Sequence, residues 1–178
     1  MEVWRPQVAM TPVAGRYAFV TSSAWTPGAQ GIASADALCQ SEAGAARLPG
    51  TYMALLAPTG ASAASRFSSS GLPWIRPDGI PLASTADAFF SASLLDVPPN
   101  VTADGFAYFG NMGVWSGAAR PANTGADATN CANWTSSSAT AKGEAGAAGD
   151  STANSFFNMF GTIVACNATW MSLACLQE

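Results

Sequence analysis

The chain has 178 residues, enough for one sizeable core and too few for two comfortable ones. Hydrophobic residues make up 49%, but charged residues only 10%, and histidine is absent, which removes the commonest general base and the commonest zinc ligand together. The net charge is −4, with Arg5, Arg16, Arg47, Arg66, Arg76 and Arg120 scattered and Lys142 the only lysine, so the basic footprint that nucleic acid or a heparin-like polyanion requires is missing.

Pro6, Pro12 and Gly15 make residues 1–15 read as an extended arm ahead of a single domain over 16–178. Arg16–Val20 alternates aromatic and β-branched residues and predicts a strand, ended by Thr26-Pro-Gly28. A helix follows, with Ser34 as N-cap and Asp36 in its first turn, where the helix dipole favours a negative charge. Ala35, Leu38, Cys39, Glu42, Ala43 and Ala46 fall on one stripe of it, apolar apart from Glu42. Leu48-Pro-Gly50 stops the helix, and Thr51–Ala57 reads as a core strand.

Residues 61–67 fit a short helix ending at Phe67. Pro77-Asp78-Gly79 fits positions i+1 to i+3 of a type I turn, so Trp74–Arg76 and Ile80–Leu82 form a small hairpin. Thr85–Leu95, with Ala86, Phe89 and Phe90 on one side, reads as a second short helix, and Asp96–Gly105 as a loop. Phe106–Phe109 and Gly113–Trp115 read as strands. Ser136–Ser155 lacks periodicity and is expected to be an irregular surface loop. Thr162–Cys166 and Trp170–Cys175 are expected to close the chain as a strand pair around Asn167-Ala-Thr169.

Four cysteines, Cys39, Cys131, Cys166 and Cys175, stand far apart with no C-x-x-C spacing. An even, widely spaced set points to two disulfides and an oxidising compartment, and three pairings satisfy it. No run of about 18 apolar residues encodes a membrane span. The opening Met-Glu-Val-Trp-Arg-Pro has no basic-then-apolar leader pattern, which favours a virion or cargo protein slightly over a secreted one.

The order of these pieces resembles the C-type-lectin-like fold, and within it the endostatin-like branch of collagen C-terminal domains and related bacterial surface proteins. Ala35-Asp-Ala-Leu-Cys39-Gln and Leu48-Pro-Gly-Thr-Tyr52-x-Ala-Leu-Leu56 are similar to the family's helix and following strand. Pro73–Ile80 and Phe89-Phe90 are similar to its middle, and Val114-Trp-x-Gly117, Cys131-x-x-Trp134 and Cys166…Leu-x-Cys175 to its last third. The resemblance covers roughly residues 16–177 and implies an α+β domain of short twisted antiparallel strands with one or two helices and a long loop region. It also implies a nested pairing, Cys39 with Cys175 and Cys131 with Cys166. The triplets with which sugar-binding relatives hold calcium, Glu-Pro-Asn or Gln-Pro-Asp and Trp-Asn-Asp, do not occur, and Phe157-Asn158-Met159 has no carboxylate. No metal or other cofactor is therefore expected.

Without histidine a serine nucleophile has no usual base, and Lys142 lies in a glycine-rich stretch, so a hydrolase is the least favoured reading. Asp78 and Asp104 each precede glycine, as turn residues do. Trp115 and Trp134 are expected in the core. Arg120, Asn123, Asp127, Asn130 and Asn133, polar donors and acceptors on a loop pinned by a cysteine, are the candidate ligand contacts. The expected function is a non-catalytic extracellular or cell-surface binding or adhesion module for a glycan or protein ligand. The alternative is a structural subunit of a surface layer, appendage or virion, with the low charge reflecting contacts in a homo-oligomer or larger assembly.

Overall fold

The computed structural model describes residues 14–108, 112–152, 156–159 and 161–178. Of the expected N-terminal arm only Ala14 and Gly15 fall within these residues. The architecture is mixed α+β, with few helices, short strands in two sheets, and two disulfides.

The first sheet has the order β2-β7-β1-β3, from Tyr52–Ala54, Ala174–Gln177, Arg16–Val20 and Trp74–Ile75. β7 is antiparallel to β1 (Phe19 opposite Cys175) and to β2 (Ala54 opposite Cys175), while β3 runs parallel to β1. Side chains alternate across this sheet as the pleat requires. Ala18, Ala174 and Leu176 face a cluster holding Phe67, Trp74, Phe89, Phe90 and Phe156. Phe19 and Cys175 face the other, with Tyr52, Trp25, Trp115, Trp134 and both disulfides.

Helix α1, Ile32–Ala45, lies on that second side. Its buried residues are Ala35, Cys39 and Ala43, the centre of the expected stripe, and Cys39 is joined to Cys175 on β7. The helix begins earlier than expected, with Gly31 at the cap. Ser34 instead donates its hydroxyl to the Gly31 carbonyl (2.8 Å) and accepts from the Trp25 indole (3.2 Å). Asp36 does not serve the helix dipole. It accepts from the Ala54 amide (2.9 Å) and pairs with Arg66 (2.6 Å), tying α1 to β2. Glu42, the polar exception in the stripe, accepts from the Ser22 and Ser23 amides at 2.8 and 2.9 Å and so holds the chain after β1.

The 51–57 run is a strand only as far as Ala54. Beyond it Leu55, Leu56 and Ala57 stay buried, but Ala57 donates to Ser116 rather than to β7. A 3-10 turn at Ala64–Arg66 stands where a short helix was expected. The turn after β3 closes with the Gly79 amide on the Arg76 carbonyl (2.8 Å), the geometry its Pro-Asp-Gly sequence predicts. Helix α2, Ala86–Ser91, is capped by the Thr85 side chain on the Ala88 amide and buries Phe89 and Phe90. Phe106 is 62% exposed, and a single bridge from Val101 to Ala107 replaces the expected 106–109 strand, with Phe109 outside the described residues.

The second sheet is β4-β5-β6, from Gly113–Trp115, Lys142–Ala147 and Ile163–Ala165, all antiparallel. Two expectations fail here. Residues 136–155 hold β5, the middle strand of this sheet, rather than only an irregular loop. The closing strands do not pair with each other: β6 belongs to β5, and β7 to the first sheet. The chain crosses between the sheets through residues 170–173, where Ser172 bonds to Gly113 and Trp115 on β4 (2.9 and 3.1 Å).

Candidate functional site

Between β4 and β5 the chain makes the loop 116–130 and then the turn α3, Cys131–Trp134. All four residues of α3 have positive φ, 56°, 54°, 55° and 65°, so this is a single left-handed turn. Left-handed backbone costs roughly 1–2 kcal/mol per L-residue, and it persists only where the surroundings dictate it. Those surroundings are specific. Cys131 is bonded to Cys166 at the end of β6. The Trp134 indole donates to the Ala57 carbonyl (2.9 Å) and its ring packs between Trp25 and Trp115, at 6.0 and 5.9 Å. Trp115 and Trp134 are thus both core residues, as expected.

Asn130 sits directly before this turn with no exposure. Its amide nitrogen donates to the Ala57 carbonyl (3.3 Å) and the Thr59 hydroxyl (3.0 Å), and its oxygen accepts from the Asn133 amide (2.8 Å). It is therefore an internal fastener rather than a group facing a ligand. Thr59 is the second fastener. Its hydroxyl donates to Asp127, and its backbone amide donates to the Asn133 side-chain oxygen (3.0 Å). Asp127 and Asn133 are both exposed. Each is held by Thr59 through one oxygen, so Asp127 keeps a second carboxylate oxygen as acceptor and Asn133 its amide NH2 as donor.

Arg120 and Asn123 are also exposed, in the turn closed by the Asn123 amide on the Arg120 carbonyl (2.9 Å). Bridges from Thr59 to Gly125 and from Ser62 to Thr124 lay this loop along residues 58–62. The structure thus gathers Asp127, Asn130 and Asn133 around Thr59, and places Arg120 and Asn123 further along the same loop. Thr59 gave no signal in the sequence beyond its Pro58-Thr-Gly60 turn context.

Glu144, which the sequence offers only as one of several carboxylates in an expected loop, lies on β5 instead. Its Oε2 is shielded from solvent and has no hydrogen-bond partner among the described residues, and the same holds for the Ser116 hydroxyl. Burial raises the Glu144 carboxyl above its ordinary value, with Asn158 opposing the shift. A separate depression of about 260 Å³ is lined by Ser22, Glu42, Ala103 and Asp104. Its two carboxylates are accounted for locally: Glu42 holds residues 22 and 23, and Asp104 accepts from the Thr102 hydroxyl, which lowers its carboxyl below the ordinary value. Compared with known proteins, the sequence matches no family model and no curated protein.

Proposed function

We propose that the protein is a non-catalytic ligand-binding or adhesion module of C-type-lectin-like fold, one domain over residues 16–178, working outside the cell or at its surface. The nested disulfides support the fold reading, one tying the helix to the last strand and the other pinning the long loop. They also suit an oxidising compartment. The observation that carries the binding reading is the exposed polar pair Asp127 and Asn133, both bonded to Thr59, itself held by buried Asn130, on a turn locked by a disulfide. Polar groups held in this way lose little freedom when a ligand meets them. A glycan or protein ligand fits the site. An enzyme reading lacks support because the chain has no histidine and the half-buried Glu144 has no base paired with its shielded oxygen among the described residues.

The test is a panel of immobilised glycans and extracellular proteins, read with the wild type and with a variant carrying N123A, D127A and N133G. Glycine at 133 removes the amide without straining the positive φ. Binding by the wild type that the variant loses, with an unchanged circular dichroism spectrum, supports the reading. Equal binding by both removes this loop from it. The alternative, a structural subunit of a larger assembly, is favoured by exposed Ile163 on β6 and exposed Trp170 beside it.

A further inference from the structure

β6 is an edge strand of the second sheet. Its register places Val164 opposite Gly143, with the Ala145 amide on the Thr162 carbonyl (3.2 Å) and the Cys166 amide on the Ala141 carbonyl (3.1 Å). Residues 162, 164 and 166 therefore point their backbone groups at β5, and Ile163 and Ala165 point theirs away. Natural edges are usually guarded by lysine, proline or a bulge. Residues 161–166, Gly-Thr-Ile-Val-Ala-Cys, carry no charge and no proline, and three of them are β-branched. Ile163 is 56% exposed on one face. On the other, Val164 lines a mostly apolar hollow of about 200 Å³ with Met159, Met171 and Trp170, a residue that is 62% exposed.

We propose that β6 is a self-association edge, pairing antiparallel with β6 of a second copy across a two-fold axis at Val164. In this register the outward N–H and C=O groups of Ile163 meet those of Ala165 in the partner, twice by symmetry, and Val164 faces its own copy as a non-hydrogen-bonded pair. The Ala165 carbonyl already accepts from Ala168 (3.0 Å), and its second lone pair serves the new bond. Two features select a second copy as the occupant. The large exposed Ile163 falls opposite small Ala165, so the two sides are complementary in bulk. Lys142 lies beside Ala165 and Glu144 beside Ile163, so each row across the joined sheets ends in one cation and one carboxylate, with no like charges brought level. The contact is small beside the roughly 1,600 Å² of a standard interface, so the dimer forms reversibly and depends on concentration.

Sedimentation equilibrium over a wide concentration range tests the pairing. The wild type is expected to move from monomer to dimer. Ile163→Lys, a substitution at an exposed position, is expected to weaken the dimer by about tenfold or more while leaving the melting curve unchanged. Leu94→Lys, at an exposed apolar residue outside β6, is expected to leave the dimer intact. Val164→Cys, placed at the axis, is expected to form an intermolecular disulfide under mild oxidation, because facing non-hydrogen-bonded residues bring their Cα atoms within disulfide range. A wild type that stays monomeric throughout overturns the proposal, as does a dimer that survives Ile163→Lys or one in which Val164→Cys fails to cross-link. The contact uses none of the loop residues Arg120, Asn123, Asp127 or Asn133, so its failure leaves the ligand-binding reading standing.

Discussion

Asn130 illustrates how one side chain decides what its neighbours can do. With no exposure, it spends its amide nitrogen on Ala57 and Thr59 and its oxygen on the amide of Asn133. Asn130→Ala leaves the Ala57 carbonyl with only the Trp134 indole and deprives Asn133 of its cap. A loss of about 1–3 kcal/mol is expected in urea unfolding, the usual cost of stranding buried hydrogen-bonding groups. Asp127→Ala, at an exposed position, is expected to cost less than about 1 kcal/mol. A reversed order would mean that Asn130 is not the fastener. Glu144 gives the complementary case, a carboxyl held too dry. Because burial raises its pKa in the folded state, folding disfavours the ionised form relative to the unfolded chain. The resulting penalty is fully present above the folded pKa. It is relieved as pH falls through that value toward the unfolded one, about 4.3. Glu144→Gln removes the penalty. The variant is expected to melt higher than the wild type near neutral pH, with the gap closing as the solution is acidified. A gap that widens on acidification would show the sign to be wrong.

At the scale of elements, β5 explains both a misreading and a constraint. Lys-Gly-Glu-Ala-Gly-Ala has none of the β-branched or aromatic residues that mark a strand, so its sequence looks like loop. The reason lies in its neighbours. A Cβ on Gly143 would come within 2.7 Å of the Trp115 ring and 2.9 Å of the Cys131 sulfur, and one on Gly146 within 1.9 Å of the Phe156 carbonyl oxygen. The strand is built from small residues because large ones from other segments already fill the space beside it, and a local pattern cannot report that. Gly146→Ala is expected to cost about 1–3 kcal/mol or more, since backbone must move, whereas Ser137→Ala in the exposed stretch before the strand should stay within about 0.5 kcal/mol. Elements whose cause is local were legible: β1 from its alternation, α1 from its stripe, the turn at Gly79 from Pro-Asp-Gly, α2 from Thr85 and its paired phenylalanines. Elements fixed by distant partners were not. The 170–173 crossing looks like a strand because it bonds to β4 and to the segment after β1, yet no local signal names those partners. The candidate site divides in the same way. Its exposed residues could be picked as polar loop positions, but the burial of Asn130 and the part played by Thr59 depend on how residues 57–62 lie against the loop.

For the whole molecule, the two disulfides do different work. Cys39–Cys175 spans 136 residues and joins α1 to β7, which lies between β1 and β2, so it closes about three quarters of the chain. Cys131–Cys166 spans 35 residues and clamps the left-handed turn to the end of β6. In the chain-entropy model, removing them costs about 5 and about 4 kcal/mol respectively. The model treats only the unfolded chain, and the native states differ. Without its clamp, α3 can return to ordinary backbone at four residues, recovering part of the roughly 1–2 kcal/mol that each spends at positive φ. No such relief follows the loss of Cys39–Cys175, because α1 and β7 have regular backbone. The gap between the two variants is therefore expected to exceed the roughly 1 kcal/mol that chain entropy alone predicts. C131A/C166A should fall well short of a 4 kcal/mol loss and C39A/C175A should approach 5. Hydrogen exchange separates the mechanisms. In C131A/C166A protection should fall first around residues 126–136, with the Thr59 contacts to Asp127 and Asn133, while the first sheet keeps its protection. In C39A/C175A the loss should spread across α1, β2 and β7 together. If C131A/C166A instead lost its full 4 kcal/mol with uniform loss of protection, the left-handed turn would be held by its tryptophan packing and Asn130 rather than by the disulfide. The clamp would then be a property of the core, and not of the bond.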